Sequence, residues 1–224
     1  MSSGAVAGLP APVEGVLDDG TRVLFRPLGP HDVEGLREGF SRLSPESRYR
    51  RFFYAIDHLS DEQLRYLTDI DYVNHFAWLA LLTDESRLGI GVGRWIRTED
   101  DPTSAEAAVT VIDEYQRRGV GGALLRLMAE SAIERGIRSF RAQVLGGNQA
   151  MIDLLHSLGI GTESWKDGID TIEVPLPATI ADLEQTPAPR ILRAAAAGEV
   201  IVSSGPGGFG TLLTQRGPGG EPDA

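Results

Sequence analysis

The stretch Gln116-Arg117-Arg118-Gly119-Val120-Gly121-Gly122-Ala123-Leu124-Leu125 puts two arginines and three glycines at the mouth of a helix. A glycine inside a helix costs about 1 kcal/mol relative to alanine, so something must offset the loss. The segment just before it, Glu106 to Asp113 (EAAVTVID), alternates as a strand. Ala107, Val109 and Val111 fall on one face, with Glu106, Ala108, Thr110 and Ile112 on the other. The segment just after it carries Val120, Ala123, Leu124, Leu127, Met128 and Ser131 at helical spacing, which predicts a helix over about 119–135. A helix N-terminus presents N–H groups without intrahelical partners and a partial positive charge, which together attract anions. Glycines remove the β-carbons that would hold a phosphate off, and they adopt φ values closed to other residues. Arg117 and Arg118 add charge. The stretch reads as a pyrophosphate cradle; the competing reading is a glycine-rich turn that only packs a helix on a strand. The dinucleotide fingerprint fails because Leu124 stands where its last glycine belongs, and no P-loop lysine follows.

Working outward, TRVLFRPL predicts a strand with Val23 and Phe25 on one face, ended by Pro27. Val33, Leu36, Phe40 and Leu43 mark a helix. SPESRYRRFF predicts a second, with Ser44 as N-cap and Pro45 at its first position. Ser60-Asp61-Glu62 opens a third. HFAWLALLT and RLGIGVGRWIR predict strands joined by TDES, and SFRAQVLG predicts another. NQAMIDLLHSLG predicts a helix closed by Gly159. GTESWKDG and IDTIEVPL predict a hairpin turning at Lys166-Asp167-Gly168. The order implies an α/β (α+β) domain on a mixed, mostly antiparallel sheet of about six to seven strands flanked by helices. It occupies 19–178. Residues 1–18 read as a flexible leader, and the Ala/Gly/Pro-rich tail, 179–224, as largely disordered with one short helix at ILRAAAA.

The 224-residue chain has a net charge of -11 and no cysteine. Disulfides, thiolate metal sites and a cysteine nucleophile are excluded. The acidic field repels nucleic acid and attracts a protonated amine, though it also serves solubility alone. No run reaches the roughly 20 apolar residues of a membrane span, and no signal peptide is recognisable, so the expected location is cytoplasmic. His31, His58 and His75 show no metal-ligand spacing, and no metal is expected.

Gln116-Arg117-Arg118-Gly119-Val120-Gly121 resembles the Q/R-x-x-G-x-G/A signature of the GNAT superfamily of acyl-CoA-dependent N-acyltransferases. NQAMIDLLHSLGI is similar to that family's later N-x-x-A/M…LGF helix, and RPL…HDVEGL to its first strand and helix. LSPESRYRRFF resembles a subgroup that includes bacterial protein-lysine acetyltransferases. The resemblance spans about Thr21 to Pro177 and implies a single GNAT-like domain. It implies that acetyl-CoA is the cosubstrate, its pyrophosphate held by Gln116, Arg117, Arg118, Gly119, Val120, Gly121 and Gly122. It further implies a pantetheine arm pairing with the strand edge at Val109, Thr110 and Val111, and contacted by Asn148, which also fits a helix N-cap.

Some family members place a base where Glu106 stands; the alternative is a solvent-facing strand residue. The family's usual acid, a tyrosine, falls at Leu155, which donates no proton. Arg48, Arg50 and Arg51 either shape the acceptor site or form a solvated basic face. The expected function is an acetyl transfer from acetyl-CoA to a primary amine, on a protein lysine or a small molecule. The alternative is a non-catalytic acyl-CoA-binding regulator. A homodimer is left open.

Overall fold

The structure is a computed structural model that describes residues 8–17, 19–52, 55–145, 162–164 and 169–185. Eight strands form one sheet: β1 (Val13–Val16), β2 (Arg22–Pro27), β3 (His75–Leu82), β4 (Gly89–Arg97), β5 (Ser104–Val111), β6 (Ser139–Leu145), β7 (Thr162–Ser164) and β8 (Ile169–Pro175). Their order is β1-β2-β3-β4-β5-β6-β8-β7, and among the described residues only β5–β6 is a parallel pair. β1 corrects the reading of 1–18 as a leader: Val13–Val16 pair with Phe25–Arg22. The sequence concealed it because Val13 and Val16 stay exposed, so no buried face marks the strand. The antiparallel β7–β8 pairing agrees with the expected hairpin, whose turn residues lie outside the described residues. The tail reading is also corrected at its start. Ile180–Gln185 form a 3-10 turn that buries Leu183 in the core.

Three helices, α1 (Val33–Ser41), α2 (Pro45–Phe52) and α3 (Asp61–Thr68), connect β2 to β3. Local chemistry sets their starts. Ser44 Oγ accepts from the N–H of Ser47, 3.1 Å away, as an N-cap before Pro45. Ser60 and Gln63 form a capping box: Ser60 Oγ accepts from the Gln63 N–H, and Gln63 Oε1 from the Ser60 N–H. The apolar stripe behaves as its spacing predicts, although the helix ends before its last member: Phe40 of α1 and Leu43 just after it are buried, with Val33 and Leu36 packed on the core.

α4 (Val120–Glu134) lies on the opposite face of the sheet from the pocket described below, against β3, β4 and β5. Two glycines of β4 bring it close. A β-carbon at Gly93 would sit 2.6 Å from Met128 Sδ, and one at Gly91 would sit 3.1 Å from Leu124 Cδ1 and from the Thr110 carbonyl oxygen. Ser131 interrupts the apolar face of α4 for a reason. Its hydroxyl accepts from Trp95 Nε1 at 3.0 Å and Trp78 Nε1 at 3.4 Å, and donates to the Met128 carbonyl at 2.9 Å. Two buried indole N–H groups thus converge on one oxygen.

Candidate active site

The ladder between β5 and β6 ends early. It pairs Ser104 with Ser139, Ala105 with Phe140 and Glu106 with Arg141. β5 then runs on to Val111 and β6 to Leu145. Over Ala107 to Val111 the edge of β5 that faces β6 therefore carries no β6 pairing, while its other edge stays paired with β4 through Gly91–Val111. An edge without a strand partner among the described residues is one that an extended ligand with amides can join, although the Val111 carbonyl already accepts from a side chain, Gln116 Nε2.

That edge leads into the glycine stretch. A 3-10 turn, Asp113–Tyr115, precedes Gln116, and α4 starts at Val120. Gly119, the residue before α4, has φ +89°, left-handed and suited to glycine; a β-carbon there would meet nothing within 4 Å. Arg117 is also left-handed at φ +60°. The side chains in this stretch are not all alike. Gln116 Nε2 donates to the Val111 carbonyl at 3.0 Å and to Ser47 Oγ at 3.3 Å, so it fastens the loop to its own strand. Arg118 pairs with Asp19 at 2.9 Å and lies 4.9 Å over the Tyr115 ring. Arg117 is exposed. Val120 and Gly121 are buried, and Gly122 is half-buried.

β5 alternates as its sequence predicts. Ala107, Val109 and Val111 register with Trp95, Gly93 and Gly91, on the face that α4 covers. Ala108, Thr110 and Ile112 line a pocket on the other face, beneath α1, α2 and α3. Glu106 is half-buried on that second face, beside Ile96 on β4. The neighbouring pair on this face is Ala108 with Arg94, so Arg94 is a diagonal neighbour of Glu106. Tyr66 feels both: its hydroxyl pKa is raised by burial and by the Glu106 charge, and drawn down by Arg94.

Arg94 is 3% exposed. Its Nη2 donates to the Leu67 carbonyl at 3.0 Å, and its Nη1 lies 2.7 Å from His75 Nε2. Burial and the Arg94 charge push the His75 pKa down to about 3. The imidazole is therefore neutral and accepts from Arg94. Metal-ligand spacing, the one signal weighed for His75 in the sequence, does not find a histidine bound to an arginine, so the pairing of His75 with Arg94 left no trace there. Asp113 was missed as well. It accepts from the Ser44 N–H, Ser44 Oγ and Ser47 Oγ, which explains part of the LSPESRYRRFF pattern. Asn148 and Leu155, with the rest of the predicted NQAMIDLLHSLG helix, lie outside the described residues, as does the ILRAAAA segment.

A strand that leaves its parallel neighbour and feeds a glycine-opened helix defines the class. The chain belongs to the acetyltransferase (GNAT) family, whose family model matches residues 41–160. It is an acyl-CoA-dependent N-acetyltransferase, and acetyl-CoA is the cosubstrate of the family. It is 37% identical to an acetyltransferase of Pseudomonas aeruginosa over 144 residues, covering 64% of this chain and 77% of that one. It is 35% identical over 170 residues to Acetyltransferase Pat of Mycolicibacterium smegmatis, covering 75% of this chain but only 49% of that relative. Among solved structures, the GNAT domain of S. lividans PAT superposes with a TM-score of 0.66 at 33% identity, over 75% of this chain and all (100%) of that one. A cAMP-binding acyltransferase from Mycobacterium smegmatis superposes with a TM-score of 0.51 at 28% identity, over 84% of this chain and 56% of that one. Among the described residues no helix is long and apolar enough to cross a membrane.

Proposed function

We propose that the chain transfers an acetyl group from acetyl-CoA to a lysine side chain of a protein, with Glu106 as the base. The observation that carries the reading is the parting of β5 from β6 just beyond Glu106. Backbone groups of Val109, Thr110 and Val111 pair with the pantetheine amides, and the pyrophosphate sits on the N–H groups of Gly119, Val120, Gly121 and Gly122. Arg117 supplies exposed charge. Arg118 does so only by sharing itself with Asp19, and Gln116 acts by holding the loop to Val111. Asn148 completes the pantetheine contacts.

Glu106 removes a proton from the acceptor ammonium. The neutral amine attacks the thioester carbonyl and the new N–C bond forms; as the C–S bond breaks the nitrogen gives up a second proton, which ends on the departing CoA thiolate, while the first leaves Glu106 for solvent. The protein-lysine acceptor is supported by the similarity to Acetyltransferase Pat and by an acidic chain that attracts ammonium groups. The test is calorimetric titration of the folded chain with acetyl-CoA and with free CoA. Micromolar binding of both, lost in Gly119→Asp, is the expected result. Absence of binding to either removes the cradle and leaves the glycine stretch as a packing turn.

A further inference from the structure

Strand register lays out the surroundings of Glu106. His75 pairs with Ile96 and Ile96 with Glu106, so these three side chains form one row on the face that the first three helices cover. Neighbouring strands lie about 4.8 Å apart, which puts the His75 and Glu106 backbones about 10 Å apart with Ile96 between them. The next row on that face is Ala77, Arg94 and Ala108, and there the pocket begins. α3 lies over these rows. Its start is set by the Ser60–Gln63 capping box, and its last turn is held to the sheet by Arg94, which donates to the Leu67 carbonyl at 3.0 Å. Leu64 and Leu67 bury its apolar side. Tyr66, half-buried, sets its ring against that of His75, with 6.0 Å between centroids and a 35° tilt.

Packing on His75 uses the ring of Tyr66 and leaves the hydroxyl for polar work. Burial raises the pKa of that hydroxyl, the Arg94 charge draws it down and the Glu106 charge raises it again. The net direction is upward, so the phenol stays neutral at physiological pH. A helix thus brings a neutral oxygen into the field of the carboxylate that serves as the base. We infer that Tyr66 is the second group that holds the acceptor amine: its oxygen accepts one N–H of the lysine ammonium while Glu106 accepts another and takes that proton. This rests on the acyltransferase reading above, with Glu106 as the base. The chemistry suits a phenol better than a second carboxylate. Two carboxylates would stabilise the ammonium and oppose its deprotonation, whereas a neutral oxygen adds no such charge. Once Glu106 has taken its proton, the neutral amine still has two N–H groups. Donating one of them to Tyr66 leaves the nitrogen lone pair free to attack the thioester carbonyl.

Tyr66→Phe keeps the ring and its packing and removes only the oxygen. With poly-L-lysine and cadaverine as acceptors, its kcat/KM for the amine should fall by about tenfold, the worth of one hydrogen bond to a charged group. The Kd for acetyl-CoA should not change. Because both groups hold one nitrogen, the two losses should not be independent: in a Glu106→Gln background the further loss from Tyr66→Phe should shrink. An unchanged kcat/KM in Tyr66→Phe overturns the inference, and so does an equal loss in both backgrounds. A loss that comes with weaker acetyl-CoA binding marks a structural role and overturns it as well. Where Glu106→Gln is too slow to measure, the outcome is read without turnover from fluorine NMR of the chain labelled with 3-fluorotyrosine. The chain has five tyrosines, and the Tyr66 signal is identified by its loss in Tyr66→Phe. That signal should move when cadaverine is added to the wild type and move less in Glu106→Gln; a signal indifferent to both overturns the inference. Failure of the underlying reading shows separately, as no binding of acetyl-CoA, as a wild type inert toward both amines, or as full turnover in Glu106→Gln, and any of these removes the inference with it.

Discussion

The carboxylate of Asp113 accepts two hydrogen bonds from Ser44, one from its N–H at 2.9 Å and one from its Oγ at 2.8 Å. Ser47 Oγ adds a third at 2.9 Å. Asp113 lies just ahead of the glycine stretch, and Ser44 caps α2. One side chain thus joins the start of the glycine stretch to the helix that carries Arg51. Burial alone would raise the pKa of Asp113, but these hydrogen bonds outweigh it and hold the carboxyl below its ordinary value. Asp113→Ala should cost about 1–2 kcal/mol, the usual worth of a cap and its supporting bonds. It should also weaken acetyl-CoA binding by loosening the loop. Urea unfolding and calorimetry on the same sample check both effects. Full stability with unchanged affinity would contradict the coupling.

Glu106→Gln keeps the size and the strand position of the side chain and removes its basicity. The expected outcome is a fall in kcat of about a hundredfold or more, the range for loss of a general base, with the Kd for acetyl-CoA unchanged. Unchanged turnover would return Glu106 to the status of an ordinary strand residue.

His75 makes the fold sensitive to acid. Burial, then the Arg94 charge, holds its pKa at about 3, against 6.5 in the unfolded chain, with Asp71 opposing in part. Between these values the unfolded chain binds more protons than the folded one, so stability rises with pH. The His75 contribution is complete above about pH 6.5 and is lost as the pH falls toward 3. The slope can approach about 1.4 kcal/mol per pH unit. His75→Gln retains an acceptor for Arg94 and does not titrate. Its unfolding free energy should decline less steeply than that of the wild type between pH 6.5 and 4.5. Parallel curves would show that His75 does not enter the linkage.

Ser131→Ala removes the oxygen shared by Trp78 and Trp95. Leaving a buried donor unsatisfied costs about 1–3 kcal/mol, and the shorter bond, to Trp95, should dominate. Thermal unfolding should register the loss, and the tryptophan fluorescence spectrum should shift. A variant as stable as the wild type would mean that the indole N–H groups find other partners.

Most elements were readable from local pattern. The apolar stripe on α1, the alternation of β5 and the capping box at Ser60 each depend on residues within a turn or two. The segment Glu106 to Gly122 likewise announces a strand, a loop and a glycine-opened helix, because backbone conformation there is set by glycine and by short-range periodicity. Long-range partnership left no such trace. Val13–Val16 pair with β2, and the side chains that join them, Glu14 with Arg22, lie in solvent, so no buried side-chain pattern announces the strand. The end of the β5–β6 ladder at Glu106 depends on strands about 35 residues apart along the chain. Asp113 and Ser44 are separated by 69 residues. Arg51 and Arg94 come from a helix and a strand whose own patterns say nothing of a shared pocket. Periodicity reports which face of one element is buried; only the assembled sheet decides what that face meets, and so where charge, cavity and open backbone edge coincide.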